Sequence, residues 1–194
     1  MTDDNALRKY SEKYQFLHVP GIGDSGETHW HTNWENSFPD IIRVIQQDWE
    51  CPDKNSWVEN LYSYIQKYAE KPIILISHSL GGGAIIHADH LNKLNGVKGV
   101  FMVALPDIER DDFPKDCSGF IPMPKTKLSV PGLMVSSQND EWCDIEVAEE
   151  WSGRLQIPLI NIGDKQHICQ AEEFKTWEAG KKLLVQFLDS IESC

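Results

Sequence analysis

Short apolar runs alternate along the chain with stretches in which apolar residues recur every three or four positions. Gln15 to Val19, Ile41 to Ile45, Ile73 to Ile76, Val97 to Leu105, Pro131 to Ser136 and Ile157 to Ile162 read as strands, because each is short, rich in branched residues and bounded by turn formers. Trp30 and Trp34, one helical turn apart, predict a helix over Glu27 to Phe38 that Pro39 ends. Trp57, Leu61, Tyr64, Ile65 and Tyr68 predict another, capped by Asn55 or Ser56. Ala84 to Leu91, the surroundings of Val147 and Trp151, and Phe174 to Ile191 read as further helices, the last amphipathic. Strands alternating with helices predict βαβ crossovers, hence an α/β fold of about six mostly parallel strands with helices on both faces. Residues 1–13 are polar and read as a loose or surface-docked arm. Residues 106–130 are aperiodic and rich in proline and acid; a connection that long in a compact domain reads as a lid or binding loop. With 194 residues and no repeat or linker, the chain fits residues 1–194 in one domain with no large cap domain.

The run at Ile73 to Ile76 stops at Ser77-His78-Ser79-Leu80-Gly81-Gly82-Gly83. A strand followed by a serine and then small residues predicts a sharp turn into a helix, with the Ser79 hydroxyl at the helix N-terminus where developing negative charge is favoured. A serine needs a base and the base needs an orienting acid. Asp140 follows the fifth predicted strand and His167 the sixth, which gives the order nucleophile, acid, base. Asp107 and Asp144 are rival acids, and Asp140 also suits a helix cap. Of seven histidines, only His167 lies in a loop after the last strand. Two N–H groups should meet the developing oxyanion: Leu80 after the nucleophile, and Ile22 or Gly23 in the loop after the first strand. Gly21, Gly23, His29, Phe113 and Phe120 are candidate pocket residues. Ser77 stands where the usual elbow motif has glycine.

Gly21-Ile22-Gly23-Asp24-Ser25-Gly26 is a literal G-x-G-x-x-G after a strand, so a dinucleotide site on Gly21, Gly23 and Gly26 is a weaker alternative; Asp24 would set negative charge beside a pyrophosphate. His87-Ala88-Asp89-His90 shares a helix face but has no third ligand. No metal and no cofactor is called for. The formal charge of -12 argues against nucleic acid and anionic membrane as partners. The acidic loop around Asp107, Glu109, Asp111, Asp112 and Asp116 reads as solvated surface that also suits a cationic substrate. The five cysteines are spread without a C-x-x-C pair and read as free thiols in a reducing cytoplasm. A polar start and the lack of a long apolar stretch fit a cytoplasmic protein.

These residues resemble the small serine hydrolases of the YdeN and retinoblastoma-binding protein 9 type along nearly the whole chain. Pro20-Gly21, Ser25, His29-Trp30 and Trp34 are similar to the opening motif, and Asp48-Trp49-Glu50 with Pro52 and Trp57 to the second. His78-Ser79-Leu80-Gly81 resembles the elbow, Val103-Ala104 with Pro106-Asp107 the fourth strand end, Ser136-Ser137 with Asn139-Asp140 the acid loop, and His167, Trp177 and Gly180 the base loop and closing helix. The resemblance implies a compact α/β-hydrolase fold, a triad of Ser79, Asp140 and His167, and hydrolysis of small esters or amides. The family commonly has glycine before the catalytic histidine and asparagine soon after it; here Gln166 precedes and Ile168-Cys169 follow. A catalytically weak interaction module on the same scaffold is the non-enzyme alternative. No cysteine sits in a Leu-x-Cys-x-Glu motif, so a retinoblastoma-type partner is not supported. The sequence sets no oligomeric state.

Overall fold

The structure is a computed structural model that describes residues 2–169 and 172–193. Six strands, β1 (Gln15–Val19), β2 (Ile41–Arg43), β3 (Ile73–His78), β4 (Val97–Val103), β5 (Gly132–Ser136) and β6 (Leu159–Asn161), form one sheet in the order β2-β1-β3-β4-β5-β6. Every pairing is parallel. The helices are α1 (Asp3–Lys13), α2 (Trp30–Ser37), α3 (Lys54–Lys67), α4 (Leu80–His90), α5 (Ile145–Leu155) and α6 (Glu178–Glu192).

Alternate strand residues face opposite layers, which makes two cores. Leu17, Leu75 and Met102 pack with Trp57 and Leu61 of α3, Ile85 of α4 and Trp151 of α5. Phe16, Ile74, Ile76 and Phe101 pack with Leu7 of α1, Trp30 and Trp34 of α2 and Leu184 of α6. All six residues of β3 are buried, and its run Ile73 to Ile76 is apolar on both faces. No described helix is long and apolar enough to cross a membrane.

Several boundaries differ from expectation. Residues 1–13 were expected as a loose or docked arm; their described part is helix α1, which buries Leu7 and is tied to α6 by Lys181 Nζ on Asp4 at 2.9 Å. Its polarity reflects one buried stripe on an otherwise wet helix. Strand β4 stops at Val103 because Ala104 takes φ 51°. The closing helix starts at Glu178 rather than Phe174, since Trp177 at φ 41° interrupts the chain. Asp53, not Asn55 or Ser56, caps α3, its carboxylate accepting from the Ser56 amide at 2.8 Å. Helix α2 begins at Trp30, capped by His29.

The connection 106–130 contains no helix or extended strand. It is nevertheless packed: Phe113, Phe120, Met123 and Leu128 are buried. Its backbone is strapped to the head of α3 by Ser118 N–H donating to Pro52 O at 2.7 Å and Lys54 N–H donating to Ser118 O at 2.9 Å. His87 of α4 bonds the Phe120 carbonyl at 2.9 Å and Asp89 accepts from the Ser129 amide at 3.0 Å, so α4 holds the connection at two points.

Candidate active site

Strand β3 delivers the chain to Ser79 at φ 53° and ψ -131°, a conformation that L-residues rarely adopt. The turn after it closes because Gly81 lies against β1: a Cβ there would meet the Val19 carbonyl oxygen at 2.0 Å. The loop after β1 folds over the same point, since a Cβ on Gly21 would lie 2.7 Å from the Ser79 Cβ. Ser77, in glycine's usual place, fits between β1 and β4 fully buried, its Oγ without a partner among the described residues. The Leu80 amide heads α4, where the first N–H groups of a helix have no carbonyl one turn back. In the β1 loop the Gly23 amide donates to Trp49 O at 3.0 Å, whereas no backbone or side-chain acceptor among the described residues takes the Ile22 amide. Of the two candidates for the second oxyanion donor, Ile22 is the open one.

Asp140 comes after β5 and His167 after β6, and the structure brings them together. His167 Nδ1 lies 2.9 Å from both carboxylate oxygens of Asp140, and each residue is 7% exposed. Asp140 does not cap α5, whose first turn follows Asp144. The rival Asp107 accepts from the Glu109 amide at 3.1 Å. The loop of His167 is held from four directions. Asn139 Oδ1 accepts from the Gln166 amide at 2.7 Å, Ser137 Oγ from the Lys165 amide at 2.9 Å, Trp30 Nε1 donates to Ile168 O at 3.0 Å, and His78 Nε2 donates to His167 O at 2.8 Å. Gln166 and Ile168, on either side of His167, have φ 49° and 55°.

Ser79, His167, Ile22, His29 and Phe113 line one cavity of about 260 Å³. Phe120 does not line it; its ring packs edge-on against Trp57 at 6.0 Å, deeper under the connection. Gly21 and Gly23 do not line it either: Gly21 packs on Ser79, and Gly23, at φ 74°, shapes the turn. His78, Trp142 and Cys169 also line it and were not singled out. The adjacency of His78 to Ser79 was the signal for the first; for the other two, only their position in the acid and base loops pointed there. A wider groove of 580 Å³ lies at the amino ends of β5 and β6 and contains none of these side chains.

A file of imidazoles runs from the cavity into the second core, with ring centroids 4.8 Å apart for His167 and His78, 4.7 Å for His78 and His29, 5.0 Å for His29 and His31, and 4.2 Å for His31 and His18. Burial pushes His29 down to about 3 and holds His18, His31 and His78 below the ordinary histidine range, so these four are neutral at pH 7. The file ends where His18 Nδ1 meets Glu35 at 2.9 Å, and Arg43 spans Glu35 and Asp24. Asp24 is thus part of an ion-pair network beneath a glycine loop that packs on Ser79. Of the loop's glycines Gly21 makes that close approach, while a Cβ on Gly23 or Gly26 would meet nothing within 4 Å. Desolvation also pushes the Cys169 thiol up to about 11, which keeps it protonated.

A profile of the serine hydrolase family matches residues 16–186. No curated protein matches the sequence. Among solved structures, a YdeN-like hydrolase from Pectobacterium atrosepticum is 30% identical, with a TM-score of 0.85 over 97% of this chain and 98% of that one. The ydeN gene product of B. subtilis is 16% identical, with a TM-score of 0.71 over 91% and 99%. Est1E from Butyrivibrio proteoclasticus, at 14% identity, gives 0.64 over 94% and 91%; these last two likenesses concern the fold.

Proposed function

The chain belongs to the serine hydrolase family, and from that premise we propose that it cleaves small carboxylic esters or amides through an acyl-enzyme on Ser79. The observation that supports this most is the pairing of His167 Nδ1 with both Asp140 oxygens at 2.9 Å, in a histidine that shares a cavity with Ser79. With its Nδ1–H given to Asp140, the ring keeps a lone pair on Nε2 for the serine proton. Ser79 Oγ then attacks the carbonyl carbon as His167 takes that proton. The Ile22 and Leu80 amides meet the oxyanion, and His167 returns the proton to the departing alcohol or amine. Water activated by the same ring releases the acid. The volume near 260 Å³ lies below the usual range for drug-sized ligands, which favours short acyl chains.

Labelling with an alkyl fluorophosphonate tests the reading. Ser79 is the expected adduct site, and Ser79→Ala is expected to abolish labelling and lower kcat by roughly a millionfold. Asp140→Asn should keep the shape and lose about ten-thousandfold in kcat through the wrong tautomer. Undiminished labelling of the Ser79→Ala protein would overturn the assignment.

A further inference from the structure

Phe113 and Pro114 bound the cavity that holds Ser79 and His167, and the same two residues bound a second cavity of about 280 Å³. A residue that lines two cavities while only 7% exposed stands between them, so Phe113 is a shared wall. Every residue lining the second cavity lies within 108–121, which makes it a hollow inside the connection 106–130. Its buried lining, Ile108, Phe113 and Phe120, is apolar, whereas its acidic and lysine residues are exposed at the rim. Such a floor suits an uncharged hydrocarbon chain and offers nothing to a buried ion.

The wall is pinned on both sides. Before it, the Asp107 amide donates to Trp142 O at 2.9 Å and Arg110 Nη1 donates to Glu141 O at 2.6 Å, two ties to the loop of Asp140. The Phe113 ring itself meets the Trp142 ring edge-on, with centroids 6.0 Å apart, and the Trp142 amide donates to Asp140 Oδ1 at 2.9 Å. After it, Ser118 is bonded to Pro52 and Lys54 at the head of α3. A segment tied at both ends within a few residues stands as a fixed partition rather than a swinging flap.

We propose that Phe113 sets the chain-length limit of the substrate. Its ring ends the Ser79 cavity at the size of a short chain and shuts off the apolar hollow behind it. With the ring removed, the two cavities become one space of about twice the volume, and a medium-length alkyl chain that the first cavity rejects runs on into the second. This rests on the Ser79 reading above and adds to it the residue that decides between short and medium chains.

Two ester series test it, p-nitrophenyl alkanoates from acetate to decanoate, which lengthen the acyl chain, and butyrates of alcohols from methanol to octanol, which lengthen the leaving group. In the wild type, kcat/KM in at least one series is expected to fall by about tenfold or more between the short and the medium members. In Phe113→Ala that ratio should level or invert, whatever the overall loss, and Phe113→Leu, which keeps a buried apolar side chain, should shift it part of the way. Phe120→Ala is the matched control, because Phe120 lines the second cavity and not the first. It removes a buried ring from the same connection and leaves the wall standing, so its ratio should stay that of the wild type. No length penalty in the wild type, an unchanged ratio in both Phe113 variants, or an equal shift in Phe120→Ala would overturn the wall. A second measurement does not need turnover. Methyl octanoate, followed by tryptophan fluorescence, is expected to bind Ser79→Ala about tenfold more tightly once Phe113→Ala is added, and equal affinities overturn the proposal. Absence of all hydrolysis and labelling in the wild type would defeat the Ser79 reaction and leave this binding to decide the wall.

Discussion

His167 lies between Gln166 and Ile168, two residues of positive φ, and each β-carbon there is crowded by its own backbone at about 1–2 kcal/mol. A glycine before the histidine would take this backbone freely, whereas Gln166 adopts it under strain. Gln166→Gly is expected to raise the urea midpoint, by about 0.5–1 kcal/mol in stability once the extra freedom of unfolded glycine is set against the strain. His78 bonds the main-chain carbonyl of His167, so in the proposed reaction it is a positioning residue. His78→Phe fills the volume without the donor and should lower kcat by about 10–100-fold with the melting temperature little changed. His78→Gln, with an N–H of similar reach, should recover part of kcat. An unchanged kcat in His78→Phe would remove the role. The places of Ser79 after β3 and His167 after β6 were legible in the sequence. The contact of His78 was not, because a histidine next to a serine at a strand end looks the same whether it faces the core or bonds a loop from another part of the chain.

Element ends depend on contacts that no local pattern contains. The six strands and the alternation of helices were legible, since burial on one or both faces writes itself into the spacing of apolar residues. The stop of β4 at Ala104 and the start of α6 after Trp177 were not, because both are set by single backbone angles. Helix α1 was hidden by its polarity: a helix with one apolar stripe against α6 carries few apolar residues to count. The connection 106–130 showed its length but not its packing, for its buried Phe113, Phe120, Met123 and Leu128 follow no period. The tightest junction is that of β1 with α4. Gly81→Ala would drive a Cβ to within 2.0 Å of a backbone oxygen, and backbone on both sides leaves no flexible side chain to yield. A loss of about 3 kcal/mol or more is expected in chemical denaturation, together with loss of fluorophosphonate labelling.

Across the whole molecule the buried imidazoles make folding sensitive to acid. His18, His29, His31 and His78 have folded-state values below the ordinary 6.5, so below that pH the unfolded chain takes up protons that the native one does not. Their contribution to stability is therefore complete above about pH 6.5 and is lost as pH falls toward about 3, the value to which His29 is depressed. Each such group adds a slope of up to about 1.4 kcal/mol per pH unit. Denaturation between pH 7 and 4 is expected to show uptake of more than one proton on unfolding, and His31→Phe should flatten the slope. A flat profile over that range would contradict neutral burial. The sheet has a different kind of border. Its two outer strands, β2 and β6, are three residues each, while the four between them are five to seven. A second chain seeking to extend the sheet finds only a stub of unpaired amides and carbonyls on either side, too short to template a strand. The long apolar strands at the centre, the segments most prone to stacking if exposed, are thereby fenced by short ones that offer them no route outward.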